Sequence, residues 1–209
     1  VALMATDSDI FLGYVNTDEA IQNYEDFPTT AVVAPLEINP QMIMWDPDTY
    51  TIDSWADVKG TEAVVNVFAG AAYTEWLVGS GLVDADQIDP SYDGGPARFI
   101  AEGGAILQQG FASQEPFNYE NTFTDWGKPV DFLLIHDSDF PIYQGAVAIL
   151  DSNLDDAARS CLGALVPLIQ QSAVDFQNDP AATNAAIVQA VIDLDSFWQL
   201  TDDSVANTV

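Results

Sequence analysis

The stretch "VNVFAGAAYTEWLVGSGL", residues 65–82, passes from an apolar β-branched run through a turn of small residues into a helix-length segment. The same succession recurs along the chain, and repeated strand-to-helix alternation favours an α/β architecture over an all-helical one. "SDIFLGYVNTDEAIQNYEDFP" reads as a short strand and then a helix beginning near Thr17, whose hydroxyl can cap the first backbone donors, with Ala20, Ile21 and Tyr24 as the apolar stripe. "TTAVVAPLEI" and "MIMW" read as strands, "DSWADVKG" as a short helical turn and "EAVVNVF" as a buried strand. Beyond them, "GGPARFIAEGG" suggests a short helix, "AILQQGF" a strand, and "EPFNYENTF" a helix opened by Glu and Pro, an order favoured at helix N-termini. Strands "VDFLLI" and "GAVAIL" follow, and residues 153–198 read as two helices parted at "NDP", the first continuing across Pro167.

Composition narrows what such a chain can do. With 209 residues and 48% hydrophobic content it can bury a core of one large domain or two small ones. Thirty-three acidic residues against four basic ones give a formal net charge of −29, which repels phosphate backbones and anionic lipids. Lys59, Arg98, Lys128 and Arg159 are scattered, so no basic cluster offsets that balance and no nucleic-acid partner is expected. A solvated acidic surface suits salt-rich surroundings, where like charges are screened. No stretch approaches the roughly 18 consecutive apolar residues of a membrane span, and "VALMATDSD" has neither a basic leader nor an apolar signal core.

The single cysteine, Cys161, lies in the apolar stretch "ARSCLGALVPLIQQ" and is expected to be a buried structural thiol. The lone His136 stands in a separate segment, so no Cys-His nucleophile, no transition-metal site and no catalytic residue is assigned. "DPDTYTID" lacks the spacing of a calcium loop and its central Gly. The turn "AGAAY" can bring backbone N–H groups near a ligand, yet its small residues equally permit close helix packing. No dinucleotide or phosphate-loop pattern is present, and no cofactor is expected.

"DIFLGYVNTDEA", "IDSWADVKG", "SYDGGPARFIAEGG" and above all "QQGFASQEPFNYE", followed by "WGKPVDFLLIHDSDFPIYQGAVAIL" and "CLGALVPLIQQSAVDFQNDP", resemble solute-binding proteins of ABC importers, in the group that takes nitrate, sulfonate, taurine and pyrimidine precursors. The resemblance implies a type II periplasmic-binding-protein fold, two α/β lobes with a central ligand cleft, closing over a small solute and passing it to permease subunits in the membrane. It places residues 1–60 in the first lobe, 61–140 in the second and 141–209 in the return to the first. The family's opening strand, helix and apolar strand before "DIFLGYVN" have no counterpart here, so the expected fold is N-terminally incomplete. A periplasmic or extracellular, membrane-associated location follows from the same resemblance, with lipid anchoring through the missing segment, and a monomer is expected.

Carried over residue by residue, the family pattern puts Asn16, Thr17 and Asp18 beside the cleft, the first two as neutral partners and Asp18 as a match for a cationic solute; Thr17 and Asp18 read equally well as a helix cap. The second-lobe ligand loop corresponds to Gly70, Ala71, Ala72 and Tyr73, with Tyr73 stacking on or closing over the solute, or with the loop serving strand-helix packing alone. Glu115 is a ligand or interlobe contact, or else a local cap, a salt-bridge partner or an exposed side chain. Phe117 and Tyr119 are candidate pocket walls, although their i, i+2 spacing keeps them off one helix face, so at least one is expected in the core. Tyr143 touches solute or packs a hinge. With positive charge lacking nearby, these acids and aromatics point to a small polar or heteroaromatic, or amine-bearing, organic solute. Two other readings remain: a pyrimidine-precursor biosynthesis enzyme of similar fold, and a sensor or structural remnant that no longer transports.

Overall fold

The computed structural model describes residues 1–195 and 200–207. A one-turn helix α1 (Ala2–Thr6) leads to β1 (Gly13–Val15), α2 (Thr17–Gln22), β2 (Thr29–Val33) and β3 (Gln41–Trp45). Ser54 and Asp57 then form a capping box that starts α3 (Trp55–Val58). Next come β4 (Val65–Asn66), α4 (Ala72–Gly79), β5 (Ile88–Asp89), α5 (Ala97–Ala101), β6 (Leu107–Phe111) and α6 (Glu115–Asn121). The chain continues through β7 (Asp131–Leu134), β8 (Ala146–Leu150), α7 (Asp156–Asn178), α8 (Ala181–Asp193) and α9 (Asp202–Asn207). The end of the expected second C-terminal helix, at residues 196–199, lies outside the described residues.

These elements form two units. One combines Val1–Asn39 with Ile142–Leu194; the other comprises Pro40–Pro141 together with Asp195 and residues 200–207. The expected first segment, 1–60, divides at Asn39 because β3 pairs with β6 and β7 of the second unit. At the far end of the expected 141–209 segment, α9 packs against α6, which places it with the second unit.

The second unit holds a mixed sheet in the order β5-β4-β6-β3-β7, in which β4 runs parallel to β5 and β6, while β3 runs antiparallel to β6 and β7. All of β3 is buried, and its alternate side chains enter two separate cores. Ile43 and Trp45 pack with Trp55, Val65 and Leu77 on one face, whereas Met42 and Met44 pack with Phe99, Ile106 and Tyr119 on the other. A strand covered on both faces reads as an unbroken apolar run, which is why "MIMW" shows no alternation.

The first unit has a three-stranded antiparallel sheet, β1-β8-β2, with Val15, Ala148 and Leu150 packed on Met4 and with Ile149 packed on Ala158 and Leu162 of α7. Asp155 caps α7, accepting a 2.8 Å bond from the Ala158 N–H, and the helix runs unbroken through Pro167. Three expectations are corrected here. Asn16, not Thr17, is the capping position of α2, and the Thr17 hydroxyl instead accepts from the Tyr143 N–H at 3.0 Å. Ala20 alone of the expected stripe packs on the core, while Ile21 and Tyr24 are 70% and 63% exposed. Cys161 is exposed, because only Ala158 and Leu162 of α7 are buried and Cys161 borders an open groove of about 960 Å3. No helix among the described residues is long and apolar enough to cross a membrane.

Asp46, 2% exposed just after β3, accepts four hydrogen bonds from three groups: two from Lys128 Nζ at 2.9 and 2.8 Å, one from the Thr49 hydroxyl at 3.0 Å and one from the Asp48 N–H at 3.1 Å. Burial pushes its carboxyl upward, but the Lys128 ammonium and the other donors outweigh it and hold the group below its usual range. A depressed folded-state value contributes stability above the unfolded value and loses it as pH falls through the folded one. Asp46→Asn is therefore expected to cost about 1–3 kcal/mol at neutral pH, with the deficit shrinking below the ordinary aspartate range. Urea melts of both proteins across pH would show this; a deficit that ignores pH would assign the loss to packing instead.

Candidate functional site: a cavity at the carboxyl ends of parallel strands

Because β4, β5 and β6 run parallel as neighbours, their carboxyl ends lie together at one edge of the sheet. The chain leaves these ends through Phe68, through Ser91 and Tyr92, and through Phe111, so three aromatic residues reach the same edge. An isolated bridge between Phe68 and Ser91 ties two of these exits together. The edge where parallel strands end is where open α/β sheets bind ligands. A cavity of about 560 Å3 opens there, a size suited to a small organic molecule.

One wall is the pair Phe68–Tyr92, ring centroids 4.7 Å apart and tilted by 53°. The loop Asp93–Pro96 borders the cavity beside them, and its Gly94 takes φ +92°, a conformation that side-chain-bearing residues rarely adopt. A further part of the lining comes from α6, which contributes Glu115, Asn118 and Tyr119, with Phe123 following it. The Tyr119 ring meets Phe99 and Phe123 edge-on at 5.2 Å, and its hydroxyl accepts a 2.9 Å bond from Gln108 Nε2. Burial drives the phenols of Tyr92 and Tyr119 upward, and the Glu115 carboxylate adds to both shifts.

Glu115 is fixed by the turn that precedes it. Its Oε2 accepts from the Phe111 N–H at 2.8 Å, closing the reversal from β6 into α6. A Cβ on Gly110 would lie 3.1 Å from Glu115 Cγ and 3.0 Å from Met42 Cε, so glycine makes room for the folded-back side chain. Burial raises the Glu115 carboxyl above its ordinary value, and the backbone donors of Phe111 and Glu115 only partly oppose that rise.

The other sequence-selected residues fall elsewhere. In the first unit, Asn16 Oδ1 accepts from the Gly145 N–H at 2.8 Å and Thr17 bonds the Tyr143 backbone, so Asn16, Thr17 and Tyr143 are brought together by ties between the start of α2 and residues 143–145. The Tyr143 ring is 50% exposed, and Asp18 Oδ1 is buried without a hydrogen-bond partner. In the second unit, Gly70 and Ala71 lead into α4, while Tyr73 is 3% exposed in the core, its hydroxyl donating to Gln109 Oε1. Phe117 is half-buried and does not line the cavity, unlike Glu115 and Tyr119 from the same helix. Phe68, Tyr92, Phe111, Gln114, Asn118 and Phe123 line it without having been singled out as site residues. The signal that could have found the first three is positional, since each stands at or just beyond the carboxyl end of a parallel strand. Among the described residues, no group of three or more His, Cys, Asp and Glu side chains could hold a metal ion.

Glu115 also yields a test with a definite sign. An acid whose folded value is raised holds its proton more tightly when folded, so it costs stability as pH climbs from the unfolded value through the folded one. Glu115→Gln keeps the shape and the acceptor for Phe111 but removes the charge. Its melting temperature is expected to gain on wild type as pH rises from acid to neutral and then to level off. Thermal melts at stepped pH would check this, and a constant difference would mean that burial of the charge is not what sets the trend.

No family model matches the chain, and no curated protein does. Among solved structures, it is similar to the periplasmic VFT2 domain of BvgS from Bordetella pertussis, at 15% identity and a TM-score of 0.43, over 73% of this chain and 60% of that one. It is also similar to an ancestral arginine-binding protein bound to glutamine, at 15% identity and a TM-score of 0.45, over 86% of this chain and 69% of that one. A third similar structure is an ancestral cationic amino acid solute-binding protein, at 15% identity and a TM-score of 0.46, over 76% of this chain and 62% of that one.

Proposed function

We propose that the chain is a solute-binding protein of the type II periplasmic-binding-protein kind, capturing a small polar or heteroaromatic organic solute outside the cytoplasm for an ABC importer. The observation that carries this reading is the cavity of about 560 Å3 at the strand ends, walled by aromatic rings and one fixed carboxylate. Its aromatic surface supplies burial and its few polar groups supply orientation, the usual division of labour in a small-molecule site. Connectivity supports the same reading, because one unit is built from both an early and a late segment while Pro40–Pro141 forms the other. Against catalysis at this cavity by thiol and imidazole stands the fact that neither Cys161 nor His136 lines it.

A panel of small polar and heteroaromatic solutes, read by thermal shift and native mass spectrometry, tests the reading. A ligand at about 100 times its Kd adds about 2.7 kcal/mol to stability, which for a protein of this size raises Tm by about 5–10 °C. At least one solute is expected to bind unchanged in mass and to lose its effect in Tyr92→Ala. Turnover of the bound solute would overturn the proposal, and binding indifferent to Tyr92→Ala would place the site elsewhere.

A further inference from the structure

Building on that binding reading, we infer that the solute is a planar cation bearing N–H donors, an amidinium or guanidinium group on or beside a ring, paired with Glu115 and lying against Phe68 and Tyr92. Charge is the first observation. The titratable groups on the cavity wall are Asp93, Glu115, Tyr92 and Tyr119, and no Lys, Arg or His lines it among the described residues. Arg98, on the helix that follows the cavity loop, is engaged by Asp89 at 2.7 Å, by Glu102 at 2.9 Å and by the Ser91 hydroxyl at 2.7 Å. An anionic solute would meet two carboxylates and no counter-charge.

Geometry is the second. Glu115 is held at one edge by the Phe111 N–H, and a carboxylate has about four acceptor positions, so positions remain for a ligand's donors. A planar fork of N–H groups matches a carboxylate better than a spherical ammonium does. The tilted Phe68–Tyr92 pair offers ring faces that attract a cation electrostatically. A flat cation satisfies both features at once, whereas a neutral ring leaves the half-buried carboxylate without a charged partner.

Benzamidine and benzamide, which share a shape and differ in charge, give the test. The whole chain is titrated with each by calorimetry at high salt, where its surface acids no longer gather cations. Benzamidine is expected to bind about tenfold or more tightly than benzamide. Glu115→Gln should bring benzamidine down to the level of benzamide while leaving benzamide and the circular dichroism spectrum unchanged. Since this substitution removes one charge from a chain of −29, a general surface attraction would survive it, and such survival overturns the inference. Equal binding of the two compounds, or no binding of either, also overturns it. If a neutral or anionic solute binds in a Tyr92-dependent manner, the solute-binding reading stands and the cationic one falls; if no solute binds at all, both fall.

Discussion

Two buried glutamines in the middle of β6 hold the second unit's site together. Gln108 is fully buried and Gln109 is 1% exposed, and neither could stay there without hydrogen bonds. Gln109 Oε1 accepts from the Tyr73 hydroxyl of α4 and, at 3.1 Å, from the Phe68 N–H after β4. Gln108 Nε2 donates at 2.9 Å to the Tyr119 hydroxyl of α6. Neighbouring residues on a strand point to opposite faces, so the pair fastens one helix on each side of the sheet. Phe68 and Tyr119, both fixed in this way, are cavity walls, and the cavity's shape therefore depends on a polar pair inside an apolar sheet. Networks of this kind confer rigidity when they are satisfied, and Gln108 Oε1 is the one buried atom of the pair without a partner.

The chain's acidity takes on different meanings at different depths. Most of its 33 carboxylates carry solubility, and an exposed charge in water has little structural consequence. One buried and one half-buried carboxylate are treated in opposite ways. Asp46 is wrapped by donors, including an ammonium, and serves as a structural anchor linking the end of β3 to Lys128. Glu115 has backbone donors but, among the described residues, no ion pair, and it stands at a cavity. An acid left without a counter-charge at a concave, aromatic surface is a reason to look there for a ligand.

Much of the element order was legible because local rules govern it. The small-residue turn before α4 and the Glu-Pro opening of α6 follow from backbone preference, while the helix that continues through Pro167 follows from its apolar periodicity against proline's own preference to bend or break it. The helix start at Glu115 is legible for the same reason, since "SQEP" announces it, whereas Glu115 and Tyr119 were candidate site residues through the resemblance of "QQGFASQEPFNYE" to solute-binding proteins. Exposure was less legible. Cys161 sits in an apolar stretch and so looks buried, but Ala158 and Leu162 are the residues of α7 that become buried, and that depends on where the sheet lies. Ile21 and Tyr24 look like an inward stripe for the same reason and are mostly exposed.

The amino-acid sequence by itself determined the α/β alternation, the acidic and cation-poor character and the helix that begins at Glu115, because each arises from residues near one another in the chain. Tertiary structure decided that Phe68, Tyr92 and Phe111 share one edge, since parallel pairing sets Val65 beside Ile88 and Leu107, 23 and 42 positions away in the chain. It likewise decided that Tyr73 points into the core while Tyr119 borders the cavity, because Gln109 and Gln108 project from opposite faces of one strand. Long-range pairing carries no local signature, and so the residues of the site were visible one by one but their assembly was not.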